Sequence, residues 1–409
     1  MKKLTSLILI FFIASVAGCA HYQINSPLTA VKPEQSYRFE NLASGDNSDS
    51  LFVILSFSGG GTRAAALSYG VLTQLRDTQI RWEGAAKPLL QEVDVISSIS
   101  GGSFTAAYYA LFRDEIFQHY EKTFLKENVE GALALRFFGP AGWFRLASPN
   151  FDRIDIAAEY YHKHIFREKT FAELIAQKRR PFIMINATDM TQGSRFEFTQ
   201  DQFDYLCSDL GDYPVANAVA ASSAFPILLS PVVLRNYAGS CGFAEPEWIT
   251  NALEDRDVAA RRFTRARQFA SYRDVSERKY LHLLDGGIAD NIGLRGPLNA
   301  FIFSDTPWSL LRMIGQKKVQ KVVFIVVNAG TNPDSDLDKR ESPPNVKQVV
   351  LTTINAPMDN YSFETISLLA DKIREFEAQT KARKDCEDVL KTKCPEAALP
   401  GTAISPVKF

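Results

Sequence analysis

One serine of this chain stands where a nucleophile could be presented. Residues 98–103 read Ser-Ile-Ser-Gly-Gly-Ser and follow an apolar run that begins at Val93. This order predicts a strand, a tight glycine turn with Ser100 at its apex, and then a helix. Such a turn exposes the serine hydroxyl, and the free amides at the start of the helix point to the same place. The alternative is that Ser100 is only a turn residue or a helix cap.

A glycine triplet could supply hydrogen-bond donors for a negatively charged oxygen. Gly59, Gly60 and Gly61 follow the apolar run 51–57 and precede Thr62 and Arg63. Backbone amides at a strand-to-helix junction favour negative charge, and glycines let a ligand approach those amides closely. The sequence therefore predicts an oxyanion loop with a cation beside it. For the arginine, a surface salt bridge is the alternative. The loop fits neither G-x-G-x-x-G nor a P-loop, the patterns of phosphate binding.

The candidate base is a carboxylate. Asp285 begins an Asp-Gly-Gly sequence after the apolar run 280–284, and none of the five histidines follows it. His282 lies three residues earlier on the same predicted strand, so the two side chains point to opposite faces. Because an α/β-hydrolase triad places its histidine after the acid, we favour a dyad of Ser100 with Asp285. A partly dry site would have to raise the pKa of Asp285 for this role. The alternative is that Asp285 is a turn residue.

The residues after Asp285 could support it. Asp290 and Asn291 follow shortly, and their side chains could steady the Asp285 loop by hydrogen bonds. The alternative is an ordinary polar turn.

The elements that must position these residues are those of an α/β protein. Five apolar, β-branched runs alternate with helical stretches: 51–57, 93–98, 181–187, 280–284 and 321–328. This alternation predicts a mostly parallel sheet covered by helices on both faces. Sites in such sheets lie beyond the carboxyl ends of strands, so we expect the glycine loop, Ser100 and Asp285 at one edge.

Two segments near the C-terminus have their own patterns. Residues 332–347 are rich in Asp, Ser and Pro and predict an exposed loop. Residues 365–384 predict an amphipathic helix, because Ile366, Leu369, Ile373 and Phe376 fall on one face.

The N-terminus predicts a secreted, lipid-anchored protein. A short basic start precedes the apolar stretch 4–17, which is too short to span a bilayer comfortably. It ends in Val16-Ala17-Gly18-Cys19, which resembles a bacterial lipobox. We expect a signal peptide over 1–18 and a lipidated Cys19 that holds the protein on a membrane surface. The residue after Cys19 is Ala20 and not Asp. By resemblance to lipoproteins of Gram-negative bacteria, this residue favours sorting to the outer membrane of the cell envelope. The alternatives are an ordinary signal peptide or an uncleaved anchor.

The remaining composition restricts partners and domains. Net charge is −1 and 46% of residues are hydrophobic, so nothing predicts a nucleic-acid partner. Motifs for zinc, nucleotide or calcium binding are lacking, and we expect no metal and no cofactor. We expect a tether over 19–48 and one large domain over 49–409.

Four cysteines remain after Cys19, and in an oxidising compartment an even number favours disulfides. Pairing of near neighbours in the sequence predicts Cys207–Cys241 and Cys386–Cys394. The sequence alone allows three pairings, and four free thiols are the alternative.

Taken together, the motifs resemble those of patatin-like phospholipases. The order is Gly59–Arg63, Ser98–Ser103, an Ala-Ser-Ser-Ala-Phe-Pro block at 221–226, and Asp285–Gly287. The resemblance covers about residues 50–295, with a C-terminal helical extension at about 360–409. It implies a three-layer α/β hydrolase fold and lipid acyl hydrolysis by a Ser-Asp dyad without histidine, metal or cofactor.

The resemblance also assigns roles and has two departures. It implies Ser100 as nucleophile, Asp285 as base and the glycine triplet as oxyanion loop, with Thr62 and Arg63 nearby. Ser98 replaces the first glycine of the usual G-x-S-x-G elbow, and Ala64 stands where a glycine often follows the basic residue. Both replacements are small, so the turn is expected to form.

Lipid contact is predicted for residues 135–146. This stretch mixes four aromatic residues with Arg136 and Arg145, a combination that suits a membrane interface. Its glycines and Pro140 predict a loop that could act as a lid or a lipid funnel. The alternative is that its aromatic side chains pack on the core.

Three functions are consistent with these patterns. The first is a membrane-tethered serine lipid acyl hydrolase, with a membrane lipid or fatty-acyl ester as substrate. The second is a non-catalytic lipid-binding lipoprotein of the envelope. The third is an esterase or acyltransferase on small esters, because an acyl-enzyme can pass its acyl group to water or to an alcohol.

Overall fold

The computed structural model describes residues 25–302, 319–330, 338–390 and 403–404. The predicted signal peptide, Cys19 and Cys394 lie outside the described residues. Within the described part of the chain, no helix has both the length and the apolar character to cross a membrane.

Strands form one large sheet and two small ones. In chain order they are β1 Ser26–Pro27, β2 Leu51–Phe57, β3 Gln79–Trp82, β4 Ala85–Pro88, β5 Val93–Ile99, β6 Phe182–Asp189, β7 Ser194–Glu197, β8 Ser208–Asp209, β9 Val232–Arg235, β10 Tyr280–Asp285, β11 Lys321–Val327 and β12 Ala403–Ile404. The large sheet has the order β12-β11-β2-β5-β6-β10-β9, with β7 also paired to β6.

Most neighbouring strands of the large sheet run parallel. From β12 through β6 every pairing is parallel, whereas β10 runs antiparallel to both β6 and β9. The sheet is therefore mostly parallel, as predicted. The sequence did not indicate that β10, the strand before Asp285, runs antiparallel, because an apolar run that predicts a buried strand contains no information on its direction.

Helices flank the sheet. They are α1 Gly61–Asp77, α2 Gly101–Phe112, α3 Ile116–Tyr120, α4 Val129–Phe138, α5 Pro140–Leu146, α6 Arg153–His164, α7 Phe171–Gln177, α8 Gln200–Asp204, α9 Val215–Ser222, α10 Glu247–Asp255, α11 Arg261–Ala270, α12 Gly287–Asp290, α13 Arg295–Ile302 and α14 Val346–Leu390. Every residue of β2, β5 and β6 is buried. Since both faces of these strands are covered, the structure confirms the predicted layered α/β fold.

The C-terminal helix is longer than predicted. α14 begins at Val346, so it includes the last part of the segment predicted as a loop, of which 338–345 remains irregular. Leu369, Ile373 and Phe376 are buried, which confirms the apolar face predicted for residues 365–384.

The segment predicted as a tether packs on the domain from residue 25 onward. β1 pairs with β8, and the buried Tyr37 donates its hydroxyl to the Ile183 carbonyl of β6. Phe39 belongs to the main hydrophobic core. The expected tether over 19–48 is therefore too long, because these aromatic residues gain more from burial than from exposure on a flexible linker.

One of the predicted disulfides is present. Cys207 and Cys241 are bonded, with their Cα atoms 5.4 Å apart. The other predicted pair includes Cys394, which lies outside the described residues.

Candidate active site

Ser100 occupies the sharp turn between β5 and α2. Its backbone has φ 48° and ψ −119°, a conformation that residues with a side chain rarely adopt. Such strain persists only where the surrounding structure fixes the turn, and it clusters at functional sites. The structure thus places Ser100 at the apex that its sequence predicted.

The Ser100 hydroxyl contacts the predicted base directly. Its Oγ donates a hydrogen bond to Oδ2 of Asp285 at 2.9 Å, and the amide of Gly287 donates to Oδ1 at 2.8 Å. The two residues meet because Ile99 pairs with Asn186 while Asp285 pairs with Ala187, the next residue of β6. Both ends therefore lie at one level on either side of β6, although β5 and β10 run in opposite directions.

Burial tunes the Asp285 carboxyl. Loss of water raises the pKa of Asp285 to about 6, while the hydrogen bonds from the Gly287 amide and the Ser100 hydroxyl act in the opposite direction. The carboxylate is consequently ionised at neutral pH, yet it is a stronger base than an exposed aspartate.

Ser222, the last residue of α9, holds the turn in place. Its Oγ accepts a hydrogen bond from the Ser100 amide at 2.8 Å and donates to the Asn186 carbonyl at 2.6 Å. Its carbonyl accepts from the Gly286 amide at 3.1 Å. Ser222 therefore connects the nucleophile turn, β6 and the base. The sequence placed it in the 221–226 block without a role, since no local signal reports a contact with a residue so distant in the chain.

The glycine loop rests against the nucleophile turn. A Cβ at Gly101 would overlap the Gly61 carbonyl oxygen, so only glycine fits at that position. Gly60 has φ 132°, a conformation that favours glycine. These two positions explain why glycines occur on both sides of this contact.

The three glycines do not share one role. The Gly59 amide donates to the Asn291 carbonyl at 2.9 Å, so it is occupied and not free for an oxyanion, contrary to expectation. Within the described ranges, the amides of Gly60 and Gly61 have no protein acceptor, and both residues are exposed at the cavity. The candidate oxyanion donors are these two amides and the amide of Gly101, the residue after the nucleophile.

Arg63 is bound to the neighbouring loop. Its Nη2 and Nε donate to the Ala329 carbonyl at 2.7 and 3.2 Å, and the Ala329 amide donates to Ser58 Oγ at 2.8 Å. A bond to an uncharged carbonyl differs from the surface salt bridge that was the alternative. The guanidinium lies beside the glycine loop, as predicted, with 3.2 Å between Nη2 and an ideal Cβ position on Gly60. Arg63 positions the start of α1 against the loop after β11, while Thr62 is exposed on the cavity wall.

The two departures from the usual elbow are accommodated. Ser98 is buried in extended strand, and its Oγ accepts a hydrogen bond from Ser103 Oγ at 3.1 Å. Ala64 is buried near Gly60, with 3.4 Å between its Cβ and an ideal Cβ position on that glycine. Oδ2 of Asp290 accepts a hydrogen bond from the Arg295 amide at 2.7 Å, which stabilises the loop that contains both residues. The backbone carbonyl of Asn291 accepts the Gly59 amide.

No histidine is among the described residues that line the cavity, and His282 is exposed, with its side chain on the face of β10 opposite to Asp285. Among the residues that the structure describes, no cluster of three His, Cys, Asp or Glu side chains could hold a metal ion.

A cavity of about 800 Å³ opens above the dyad. Its walls are mainly apolar, with contributions from Phe104, Phe124, Leu133, Phe137, Tyr161 and Phe225. This volume lies within the range of pockets that enclose organic ligands. Asn355, Met358 and Asp359 of α14 complete the wall. The sequence missed these three residues because the predicted helix began after them.

Residues 135–146 are helical, contrary to the predicted loop. They belong to α4 and α5, and Pro140 is the first residue of α5, a position where proline favours a helix. The sequence left open whether the aromatic side chains contact lipid or pack on the protein, and the structure contains both cases. Phe137 lines the cavity, whereas Phe138 and Trp143 are 85% and 74% exposed. Arg145 pairs with Glu159 at the surface.

Comparisons with known proteins identify relatives. The family model for patatin-like phospholipases matches residues 55–298, more than half of the chain. Among solved structures, human GIVD cytosolic phospholipase A2 is similar with a TM-score of 0.37 and 13% identity, over 72% of this chain and 50% of that one. The chain thus spans about half the length of that structure. A search with this chain found no match among curated protein sequences.

Replacing Ser222 with alanine is expected to destabilise the fold. The variant leaves the buried Ser100 amide without an acceptor and the Asn186 carbonyl without this donor, which costs about 1–3 kcal/mol. Urea unfolding followed by circular dichroism measures this loss. Ser68→Ala is the matched control, since that buried hydroxyl has no partner within the described residues. Equal stability of the two variants would contradict the role given to Ser222.

Proposed function

The chain belongs to the patatin-like phospholipase family, and from this premise we propose that it is a membrane-tethered serine lipid acyl hydrolase. Its substrates are phospholipids or other fatty-acyl esters, and its catalytic residues are Ser100 and Asp285. The observation that carries this proposal is the 2.9 Å hydrogen bond between these two residues at the base of a large apolar cavity.

The first half of the reaction acylates the enzyme. Ser100 Oγ attacks the ester carbonyl carbon while its proton passes to Oδ2 of Asp285, and the Gly287 amide keeps that carboxylate in place. The amides of Gly60, Gly61 and Gly101 receive the negative charge that develops on the carbonyl oxygen. When the tetrahedral intermediate collapses, Asp285 returns the proton to the departing alcohol, and the acyl group stays on Ser100.

The second half releases the fatty acid. Asp285 takes a proton from an incoming water, which attacks the acyl-enzyme, and the same amides stabilise the second intermediate. Ser100 regains its proton as the fatty acid leaves. An alcohol in place of water would give acyl transfer by the same steps.

The cavity walls favour an acyl chain as the group that is recognised. Burial of each methylene contributes about 0.8 kcal/mol, so a long chain in this cavity binds far more tightly than a short one. This argument supports lipid esters over small soluble esters. A strained serine bonded to a carboxylate of raised pKa likewise supports catalysis over lipid binding alone.

The surface beside the cavity is suited to a lipid interface. Leu135, Phe138 and Trp143 are exposed on α4 and α5, whereas Leu133 and Phe137 of α4 line the cavity. We call the three exposed residues the interfacial face. α4 therefore joins an apolar outer surface to the apolar interior, the arrangement that transfer of a lipid from a bilayer requires.

The predicted anchor fits this arrangement. A lipid on Cys19 would leave only the residues up to Asn25 as a linker, which reaches about 20 Å when extended. The domain would consequently stay close to the membrane. Lipidation and an outer-membrane location in the bacterial envelope remain predictions from the sequence.

Fluorophosphonate labelling of the membrane-bound protein tests the dyad. Mass spectrometry is expected to find the adduct on Ser100 in the native chain, none in Ser100→Ala, and a loss of at least about 100-fold in the labelling rate of Asp285→Asn, the scale of general-base catalysis. The same spectra report the lipid on Cys19. His282→Ala is the matched control and should label normally. An unlabelled native chain with a folded spectrum would overturn the enzymatic proposal.

Activity should depend on the ionisation of Asp285. Only the carboxylate can accept the Ser100 proton, so kcat/KM is expected to be constant above pH 7 and to fall about tenfold per pH unit well below pH 6. A pH profile on a soluble ester measures this midpoint. A midpoint near 4, the value of an unperturbed aspartate, would show that burial does not tune the base.

The interfacial face should be needed for membrane binding and not for chemistry. In a Cys19→Ser background, Phe138→Ser with Trp143→Ser is expected to weaken binding to phosphatidylglycerol vesicles at least tenfold, because each ring loses about 1.5 kcal/mol or more of burial. Hydrolysis of a soluble short-chain ester should not change. The control pair is Val258→Ser and Val389→Ser, which are 74% and 79% exposed elsewhere. Equal binding by both pairs would contradict this assignment.

A further inference from the structure

A second cavity of about 170 Å³ lies beside β7, and it shares no lining residue with the catalytic cavity. Residues of β6, β7, α8, α10, α11 and α13 contribute to its walls. We call it the β7 cavity. An apolar cavity of about 150 Å³ is known to hold benzene, so the β7 cavity has room for a molecule somewhat larger than that.

One group of lining residues carries excess positive charge. Arg195 and Arg265 both donate through Nη2 to the same oxygen of Glu197, the latter at 3.4 Å. Nε of Arg195 has no acceptor within the described residues. Burial and the neighbouring Arg195 lower the pKa of Arg265. Asp290, which Arg195 also attracts, is shared with Arg295. The negative charge of one bound anion would therefore balance the net positive charge of this group.

Another group of lining residues places two carboxyl groups on one cation. Arg38 donates through Nη1 to Asp201 and through Nη2 to Asp204, so two carboxylates share one guanidinium. Oδ2 of Asp201 has no donor within the described residues. Burial raises the pKa of Asp201 to about 7, although Arg38 acts in the opposite direction. A cationic ligand group would stabilise the ionised form of Asp201 and balance the second carboxylate.

Aromatic rings form much of the remaining wall. Tyr205 and Phe269 are stacked with ring centroids 4.3 Å apart, and Trp248 meets Phe269 edge-on at 6.0 Å. All three line the β7 cavity. The lining thus combines a positive group, a negative group and an apolar surface.

We propose that the β7 cavity binds a small zwitterion with an apolar body, of which an aliphatic α-amino acid is the simplest form. Arg195 and Arg265 bind its carboxylate, Asp201 and Asp204 bind its ammonium group, and Trp248 contacts its side chain. A ligand with only one charge would leave one of the two groups uncompensated. This site is separate from the hydrolase function and does not rest on it.

Calorimetry on the full chain with L-leucine as the probe tests the site. We expect saturable binding of one leucine per chain. Leucinamide lacks the carboxylate, N-acetyl-leucine lacks the ammonium group and glycine lacks the apolar body, and each should bind at least tenfold more weakly, a difference of about 1.4 kcal/mol. Absence of saturable leucine binding at millimolar concentrations would overturn the proposal. Equal binding of leucine and either single-charge analogue would also overturn it.

Two variants locate the binding. Asp201→Asn should weaken leucine binding about tenfold and leave N-acetyl-leucine unchanged, while the exposed Asp257→Asn outside the cavity serves as the matched control. If Asp201→Asn fails to fold, Gly296→Ala replaces it. Its added methyl would come within 2.8 Å of Met184 Cε and 3.5 Å of Arg195 Cζ, so it narrows the cavity. Native leucine affinity in a folded variant of either kind would contradict the assignment to this cavity.

Discussion

The site depends on the strained backbone of Ser100. A residue with this conformation costs about 1–3 kcal/mol, and that cost has to be offset by contacts that exist only when the turn is formed. Ser222 supplies the acceptor for the Ser100 amide, and the absence of a side chain at Gly101 lets the Gly61 carbonyl approach. These contacts come from α9 and from the glycine loop. The conformation of Ser100 therefore depends on contacts with parts of the chain that are distant in sequence.

β6 sets the distance between nucleophile and base. Neighbouring strands are about 4.8 Å apart, so residues that end on either side of one strand are within reach of each other's side chains. Asn186 and Ala187 define that level for Ser100 and Asp285. The same burial that excludes water from the dyad raises the pKa of Asp285. Under the proposed function these two features act together, since the cavity receives an acyl chain while burial of Asp285 makes its carboxylate a stronger base.

The sequence predicted the meeting of Ser100 with Asp285 better than it predicted the direction of individual strands. Ser100 and Asp285 were found because turn glycines and the absence of a following histidine are local features. The direction of β10 was not predicted, because an apolar run has the same pattern in a parallel and in an antiparallel strand. Pro140 was taken to break a helix, whereas it begins α5. The role of Ser222 and the occupied amide of Gly59 depend on contacts across the fold, and a single sequence contains no signal for them.

The loop after Asp285 has one residue near each of the two cavities. Arg195 attracts Asp290, and the next residue, Asn291, accepts the Gly59 amide of the oxyanion loop. Arg195 pairs with Glu197, and Asp290 accepts the Arg295 amide, so the attraction between Arg195 and Asp290 acts without a direct hydrogen bond. The contact of Asn291 with Gly59 therefore lies one residue from a carboxylate whose charge depends on the lining of the β7 cavity, although no residue lines both cavities.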